Sequence, residues 1–128
     1  MTGVNLRPAS MADLSTLKRL EAHPRIAEWQ YPPSPLMQAF LQKVLSGFDF
    51  PGYEVRIHVI EIDGGIVGFI SHTHWRQGAF YLVTCGWSLL PECWGQGIMS
   101  RSLRQLFDSF FADQVDYVFA DYFHGNHR

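Results

Sequence analysis

The spacing of apolar residues changes period several times along the chain, and each change marks an element. Val4 and Leu6 alternate with polar neighbours from Val4 to Pro8, which predicts an opening strand. Leu14, Leu17 and Leu20 then recur at helical spacing behind Ser10, a cap residue with Asp13 three positions on as its capping-box partner. Asp13, Lys18, Arg19 and Glu21 fall on the face expected to meet water. Ser34-Pro35 starts a second helix, a cap followed by Pro at the first helical position. Its stripe is Leu36, Phe40, Leu41, Val44 and Leu45, and Gly47 stops it. The stretch between the helices, His23 to Pro33, reads as an irregular loop rich in large side chains.

From Tyr53 the period becomes two. Tyr53, Val55, Ile57 and Val59 share one face, with Glu54, Arg56 and His58 on the other. Asp63-Gly64-Gly65 is a hairpin signal, and Ile66 to Trp75 returns as the partner strand. After Arg76-Gln77-Gly78 the chain turns again into a third strand of the meander, Ala79 to Leu90. Gly86 interrupts that strand, as expected of a bulge or of a close approach by another backbone or a ligand. From Gln96 the period becomes 3.6, with Ile98, Met99, Leu103, Leu106, Phe107, Phe110 and Phe111 on one apolar face. Val115 to Phe123 reads as a last strand. A strand-helix-strand crossover of this kind joins parallel neighbours with a right-handed connection. The expectation is a mixed α+β protein with a mainly antiparallel central sheet and flanking helices.

Composition narrows the function classes. With 128 residues, 47% of them hydrophobic, the chain has the length of one domain with a real core. A formal charge of −2 leaves no basic footprint for nucleic acid. No apolar run approaches the roughly 20 residues that span a bilayer, so no membrane partner is expected. The N-terminus has no signal-peptide apolar region, which points to the cytoplasm. Cys85 and Cys93 match no zinc or redox spacing and read as buried thiols. His72 and His74 lie two apart on one strand face, whereas the hairpin places His58 on the opposite face. No third ligand presents itself, and no metal site is expected.

Chemistry concentrates in Leu89-Leu90-Pro91-Glu92-Cys93-Trp94-Gly95-Gln96-Gly97-Ile98-Met99-Ser100. A strand arrives, a Pro-containing corner turns it, and two glycines open a helix. The first helical turn offers backbone N–H groups without intrahelical partners, at the positive end of the dipole. Glycines remove the Cβ atoms that would keep a phosphate oxygen away from those donors. A nucleotide P-loop is excluded, because no Gly-Lys-Ser/Thr follows a four-residue spacer. A dinucleotide reading, NAD(P), has Gly95-x-Gly97 and Asp121 in its favour. Against it stand the long corner Pro91 to Trp94, Ser100 at the third glycine position, and an antiparallel start to the sheet.

The order of elements resembles the GCN5-related N-acetyltransferases (GNAT), and within them the RimJ/RimL-type ribosomal-protein alanine acetyltransferases. The residues that carry the resemblance are Leu6-Arg7-Pro8-Ala9 with Asp13-Leu14, Ile66-Val67-Gly68-Phe69, and the run from Gly86-Trp87-Ser88 through Ser100, with Asn126 after the last strand. The resemblance implies that Gly95, Gln96, Gly97, Ile98, Met99 and Ser100 bind the pyrophosphate of coenzyme A. It implies that Trp87, Ser88 and Leu89 pair with the pantetheine arm as if it were an added strand, and that Asn126 helps hold the cofactor. Met99 stands where the wider family has Gly or Ala, and Arg101 where the branch commonly has Glu. The family continues past Asn126 with a helix bearing an acid and a closing strand pair. Residues 1–128 are therefore expected to form a single GNAT-like domain, C-terminally truncated, with a sheet edge available for homo-oligomer formation.

Acetyl transfer to an amine needs a base for the amine, stabilisation of the carbonyl oxygen, and a proton for the leaving thiolate. Direct attack needs no enzyme nucleophile, so neither cysteine is required. Asp121, amid apolar neighbours on the last predicted strand, is the first candidate base, and Glu28 the second. Trp29 and Tyr31, beside Glu28, suit an amine-bearing substrate or simply fill a gap between helices. The leading expectation is an acetyl-CoA-dependent N-acetyltransferase acting on a protein N-terminus or a small amine. A coenzyme A-binding module without catalysis is the alternative from a different class.

Overall fold

The computed structural model describes residues 3–27, 35–48 and 50–120. Among these, β1 (Val4–Pro8), β2 (Glu54–Ile62), β3 (Gly65–Gln77), β4 (Phe80–Leu89) and β5 (Tyr117–Ala120) form one sheet in chain order. β1 to β4 pair antiparallel, and β5 joins β4 in parallel through the crossover helix. The helices are α1 (Leu14–Ala22), α2 (Pro24–Ala27), α3 (Pro35–Leu45) and α4 (Ile98–Ala112). The mixed, mainly antiparallel class read from the periodicity is the class observed.

Alternation along the strands divides the core into two layers. On one face Ile57, Val59 and Phe69 meet Leu17, Leu20 and Leu41 of α1 and α3. On the other, Ile60, Ile70, Val83, Cys85 and Leu89 meet Ile98, Leu106 and Phe110 of α4. Each such side chain contributes about 1.5–3 kcal/mol on burial, which fixes the helices to the sheet. Phe111 is half exposed at 52%, so the apolar stripe of α4 is narrower than its sequence suggests. Tyr53 precedes β2 and is 54% exposed, not part of the buried face.

Three expectations change for identifiable reasons. Asp13 is buried, not solvated. Arg7 of β1 donates from both Nη atoms to its two carboxylate oxygens at 2.9 Å, and the Ser10 amide donates at 2.8 Å. Those bonds hold the Asp13 carboxyl down to about 2. The same guanidinium donates from Nε to Glu61 at 3.1 Å, tying β1 and β2 to the start of α1.

His58 shares a face with His72 and His74, contrary to the simple hairpin register. Ile62 pairs with Gly65 and Glu61 with Ile66, but Ile60 pairs with Gly68, so Val67 is an extra residue. One inserted residue moves every later side chain of β3 to the other face relative to β2. His58 therefore pairs with Ile70, and Arg56 with His72.

The bulge expected at Gly86 lies instead at Val67. β3 and β4 keep an unbroken register from Gly68↔Leu89 to Gln77↔Phe80, with Gly86 opposite Ser71. No close backbone approach is seen at Gly86 either, since a Cβ there would meet only Ser71 Oγ at 3.4 Å, the hydroxyl that donates to its carbonyl. Within the stretch read as a loop, Pro24–Ala27 forms the short helix α2. Residues 28–34 of that stretch lie outside the described residues.

Candidate active site

The end of β4 and the start of α4 are built as one piece. Pro91–Cys93 forms a single 3-10 turn, with the Cys93 amide on Leu90 O at 2.9 Å and the Trp94 amide on Pro91 O at 3.0 Å. Trp94 then reaches back, its indole Nε1 donating to Leu89 O at 2.8 Å. This bond fixes the glycine loop against the strand. On the outer side the Arg25 guanidinium of α2 lies 5.1 Å from the Trp94 ring centroid. Gln96 Nε2 donates to Glu92 O at 2.9 Å and closes the corner.

Gly95 and Gly97 both adopt left-handed backbone, with φ of 75° and 74°. Side chains with a Cβ adopt this region at a cost of roughly 1–2 kcal/mol, and glycine adopts it freely. A Cβ placed on either glycine would meet nothing within 4 Å. Open space, not crowding, lies beyond them. The first bond of the helix turn is the Arg101 amide on Gly97 O at 3.1 Å. The amides of Ile98, Met99 and Ser100 therefore precede the first i to i−4 bond, at the positive end of a helix of 15 residues. Ile98 is buried, Met99 half-buried against the core and Ser100 exposed. Ile98 thus anchors the turn with its side chain and leaves only its backbone to face outward.

Trp87, Ser88 and Leu89 lie immediately before this loop, with Ser88 and Leu89 buried and Trp87 half-buried. Their position depends on Gly68 across the β3–β4 pair. A Cβ there would lie 2.4 Å from Ser88 O, 3.0 Å from Leu89 Cδ1 and 3.2 Å from Leu89 Cα. The Leu90 amide donates to Val67 O at 2.8 Å on the same level. The Val67 bulge and Gly68 together set where β4 delivers its last residues. The described parallel pairing with β5 runs from Leu82↔Tyr117 to Cys85↔Ala120, and β4 continues to Leu89.

The structure thus places Trp87, Ser88, Leu89 and Gly95 to Ser100 around the C-terminal end of β4 and the start of α4. Asp121, Glu28, Trp29, Tyr31 and Asn126 lie outside the described residues. Gly68, Trp94 and Arg25 emerge as supporting residues that pattern reading missed. A glycine inside an apolar strand was the available signal for Gly68. Nothing in the sequence marked the Trp94 contacts. Cys85 is buried, and burial pushes its thiol up to about 11; Cys93 is half-buried and also raised, by burial and then by Glu92. Neither is placed as a nucleophile. Among the described residues, no group of three His, Cys, Asp or Glu side chains converges as metal ligands, and no helix is long and apolar enough to cross a membrane.

A strand thus turns through an open glycine loop into a helix, next to a parallel fifth strand. Residues 4–128 match the acetyltransferase (GNAT) domain family, and the chain belongs to that family. No curated protein matches the chain. Among solved structures it is similar to the ribosomal-protein-S5-alanine acetyltransferase of Vibrio fischeri, with a TM-score of 0.79 at 20% identity over 99% of this chain and 74% of that one. It is also similar to the aminoglycoside acetyltransferase AAC(6')-Ib solved with coenzyme A, with a TM-score of 0.77 at 19% identity over 98% and 78% of the two chains. A possible acetyltransferase of Clostridium difficile 630 gives 0.77 at 15% identity over 97% and 82%. At these identities the likeness concerns the fold.

Proposed function

We propose that this protein is an acetyl-CoA-dependent N-acetyltransferase of the RimJ/RimL type, with residues 1–128 belonging to a single acetyl-CoA-binding domain. The observation that carries the reading is the loop itself. Gly95 and Gly97 turn left-handed into open space ahead of the amides of Ile98, Met99 and Ser100, and the chain matches the GNAT family. A diphosphate fits such donors, because each backbone N–H supplies a charge-favourable bond and the dipole adds to all of them. Gly95 to Ser100 would hold the pyrophosphate of acetyl-CoA. Trp87 to Leu89 would pair with the pantetheine arm, and Asn126 would add a further contact.

In the reaction the amine nitrogen attacks the thioester carbonyl, the carbon–sulfur bond breaks, and the thiolate takes a proton. Asp121 or Glu28 would accept the proton from the ammonium form of the acceptor, and Trp29 and Tyr31 would receive its cationic end. A protein N-terminal amine is the acceptor class favoured by likeness to ribosomal-protein-alanine acetyltransferases, and a small amine is favoured by likeness to aminoglycoside acetyltransferases. The first is preferred, because the RimJ/RimL-like residues run through the whole glycine corner.

Thiol release from acetyl-CoA is the test, measured with a panel of N-terminal peptides and with aminoglycoside and polyamine acceptors. Acetylation of a peptide α-amine is expected, with loss of turnover in Asp121→Asn or Glu28→Gln. Binding of acetyl-CoA without turnover on any acceptor would favour the non-catalytic module.

A further inference from the structure

Beneath α4 three histidines and a tyrosine form a single hydrogen-bonded row across three strands. His58 Nδ1 lies 2.9 Å from His72 Nε2, His72 Nδ1 lies 2.6 Å from His74 Nε2, and His74 Nδ1 lies 2.8 Å from Tyr81 Oη. His72 is 2% exposed. Phe110 of α4 covers the row, its centroid 5.0 Å from the His72 ring and 5.1 Å from the His74 ring. The Val67 bulge creates this arrangement by turning β3 so that its histidines face the side of His58. None of these groups belongs to the glycine loop.

We infer that His58, His72, His74 and Tyr81 act as one site for a single proton, and as an acid-sensitive latch under the helix that carries the glycine loop. Each link of the row needs one N–H or O–H and one lone pair. A neutral imidazole has one of each. Two arrangements then satisfy every link. If Tyr81 donates to His74, all three rings carry hydrogen on Nε2; if His74 donates to Tyr81, all three carry it on Nδ1. A mixture of the two in the neutral row sets two lone pairs, or two N–H groups, against each other.

One added proton is accommodated without breaking a link. The ring that takes it donates in both directions, with rings on the His58 side keeping the Nε2–H form and rings on the Tyr81 side the Nδ1–H form. Any of the three rings can be that junction, so the proton belongs to the row. A second proton has no such place, because two N–H groups must then oppose each other across one link. That step opens the row under Phe110 and releases the C-terminal half of α4 from the sheet.

The charged surroundings oppose uptake more than they aid it. Arg56 of β2, ion-paired with Glu54, disfavours a cation at all three rings, and the Arg76 guanidinium of β3 stands 4.7 Å from the Tyr81 ring centroid. Asp113, just past α4, favours a cation at His74, and Asp116 accepts from the Tyr81 amide at 2.7 Å. Cys85 of β4, opposite His72 in register, keeps its thiol protonated. Among the described residues no carboxylate bonds to any of the three rings. Burial is the first cause that lowers all three histidines, His72 to about 3.

The test is long-range proton–nitrogen NMR of the full chain labelled at histidine nitrogen, titrated downward from pH 8. The rings are assigned through their contacts to Phe110 and through His58→Gln. At pH 8 the three rings are expected to show one common tautomer. On acidification they should take up one proton between them with a shared midpoint and partial amplitudes. Tyr81→Phe removes the acceptor of the charged row and should lower that midpoint by about one pH unit, since bonds to charged groups are the strong ones. A mixed tautomer pattern at pH 8, three independent full titrations, no uptake before unfolding, or an unmoved midpoint in Tyr81→Phe would each overturn the inference.

Discussion

Gly68→Ala is the sharpest single perturbation of the geometry that serves the glycine loop. The added methyl would sit 2.4 Å from Ser88 O, whereas carbon–oxygen contacts of this kind settle near 3.3–3.6 Å, so one backbone must retreat by roughly 0.9 Å. Neither retreats easily. Gly68 is held between Ile60 and Leu89, and the adjacent Val67 O already accepts from the Leu90 amide at 2.8 Å. Overpacking of this kind costs about 1–3 kcal/mol. For a chain of this size that corresponds to a fall in Tm of roughly 4–12 °C. The displaced atoms belong to Ser88 and Leu89, so acetyl-CoA affinity should fall as well, by about tenfold for each 1.4 kcal/mol of lost contact. Gly86→Ala is the matched control on the same strand pair, because its Cβ would meet only Ser71 Oγ at 3.4 Å. Thermal unfolding and acetyl-CoA titration of both variants give the comparison. A Gly68→Ala protein as stable as the parent, or less perturbed than Gly86→Ala, would refute the close-packing argument.

Three further outcomes are expected. Gly97→Val forces a β-branched residue to φ of 74°, at a cost of about 1–2 kcal/mol, and places a side chain where a phosphate would lie; calorimetry should show acetyl-CoA affinity reduced at least tenfold. Asp13→Asn removes a carboxylate held at about 2 against an ordinary 3.8, a difference of roughly 2.5 kcal/mol. Because the folded value is the lower one, that stability is present above pH 3.8 and lost as pH falls toward 2, so urea unfolding of the parent should weaken over that window while Asp13→Asn stays flat. Finally, a water-soluble thiol reagent at pH 7.5 should label Cys93 and reach Cys85 only on unfolding, since burial holds Cys85 near 11; equal labelling rates in the native protein would contradict the placement.

The elements were legible because their apolar spacing states them directly. Leu14, Leu17 and Leu20, the alternation from Tyr53 to Ile62, and the change of period at Gln96 each mark an element of the observed sheet and helices. The glycine loop was legible for a related reason, since Gly95 and Gly97 at a helix start have few structural alternatives. Face assignments beyond the first hairpin were not. Whether His72 faces His58 depends on one inserted residue at Val67, and no local propensity distinguishes a bulged from a regular strand there. Asp13 looked solvated because its partners, Arg7 on β1 and the Ser10 amide, lie on neighbouring elements that helical spacing does not reveal. The role of Trp94 depends on Leu89 O and Arg25 coming together in space, which no periodicity encodes.

Gly95 to Ser100 at the start of α4 is proposed to receive the diphosphate of acetyl-CoA. Isothermal titration of the full chain with acetyl-CoA tests it most directly, with NADH and NADPH as controls and Gly97→Val in parallel. Saturable one-to-one binding is expected, abolished or strongly weakened in Gly97→Val and absent for the nicotinamide cofactors, with stabilisation of about 2.7 kcal/mol at a hundredfold excess over Kd. No heat and no thermal shift at millimolar acetyl-CoA, or tighter binding of NADH, would contradict it.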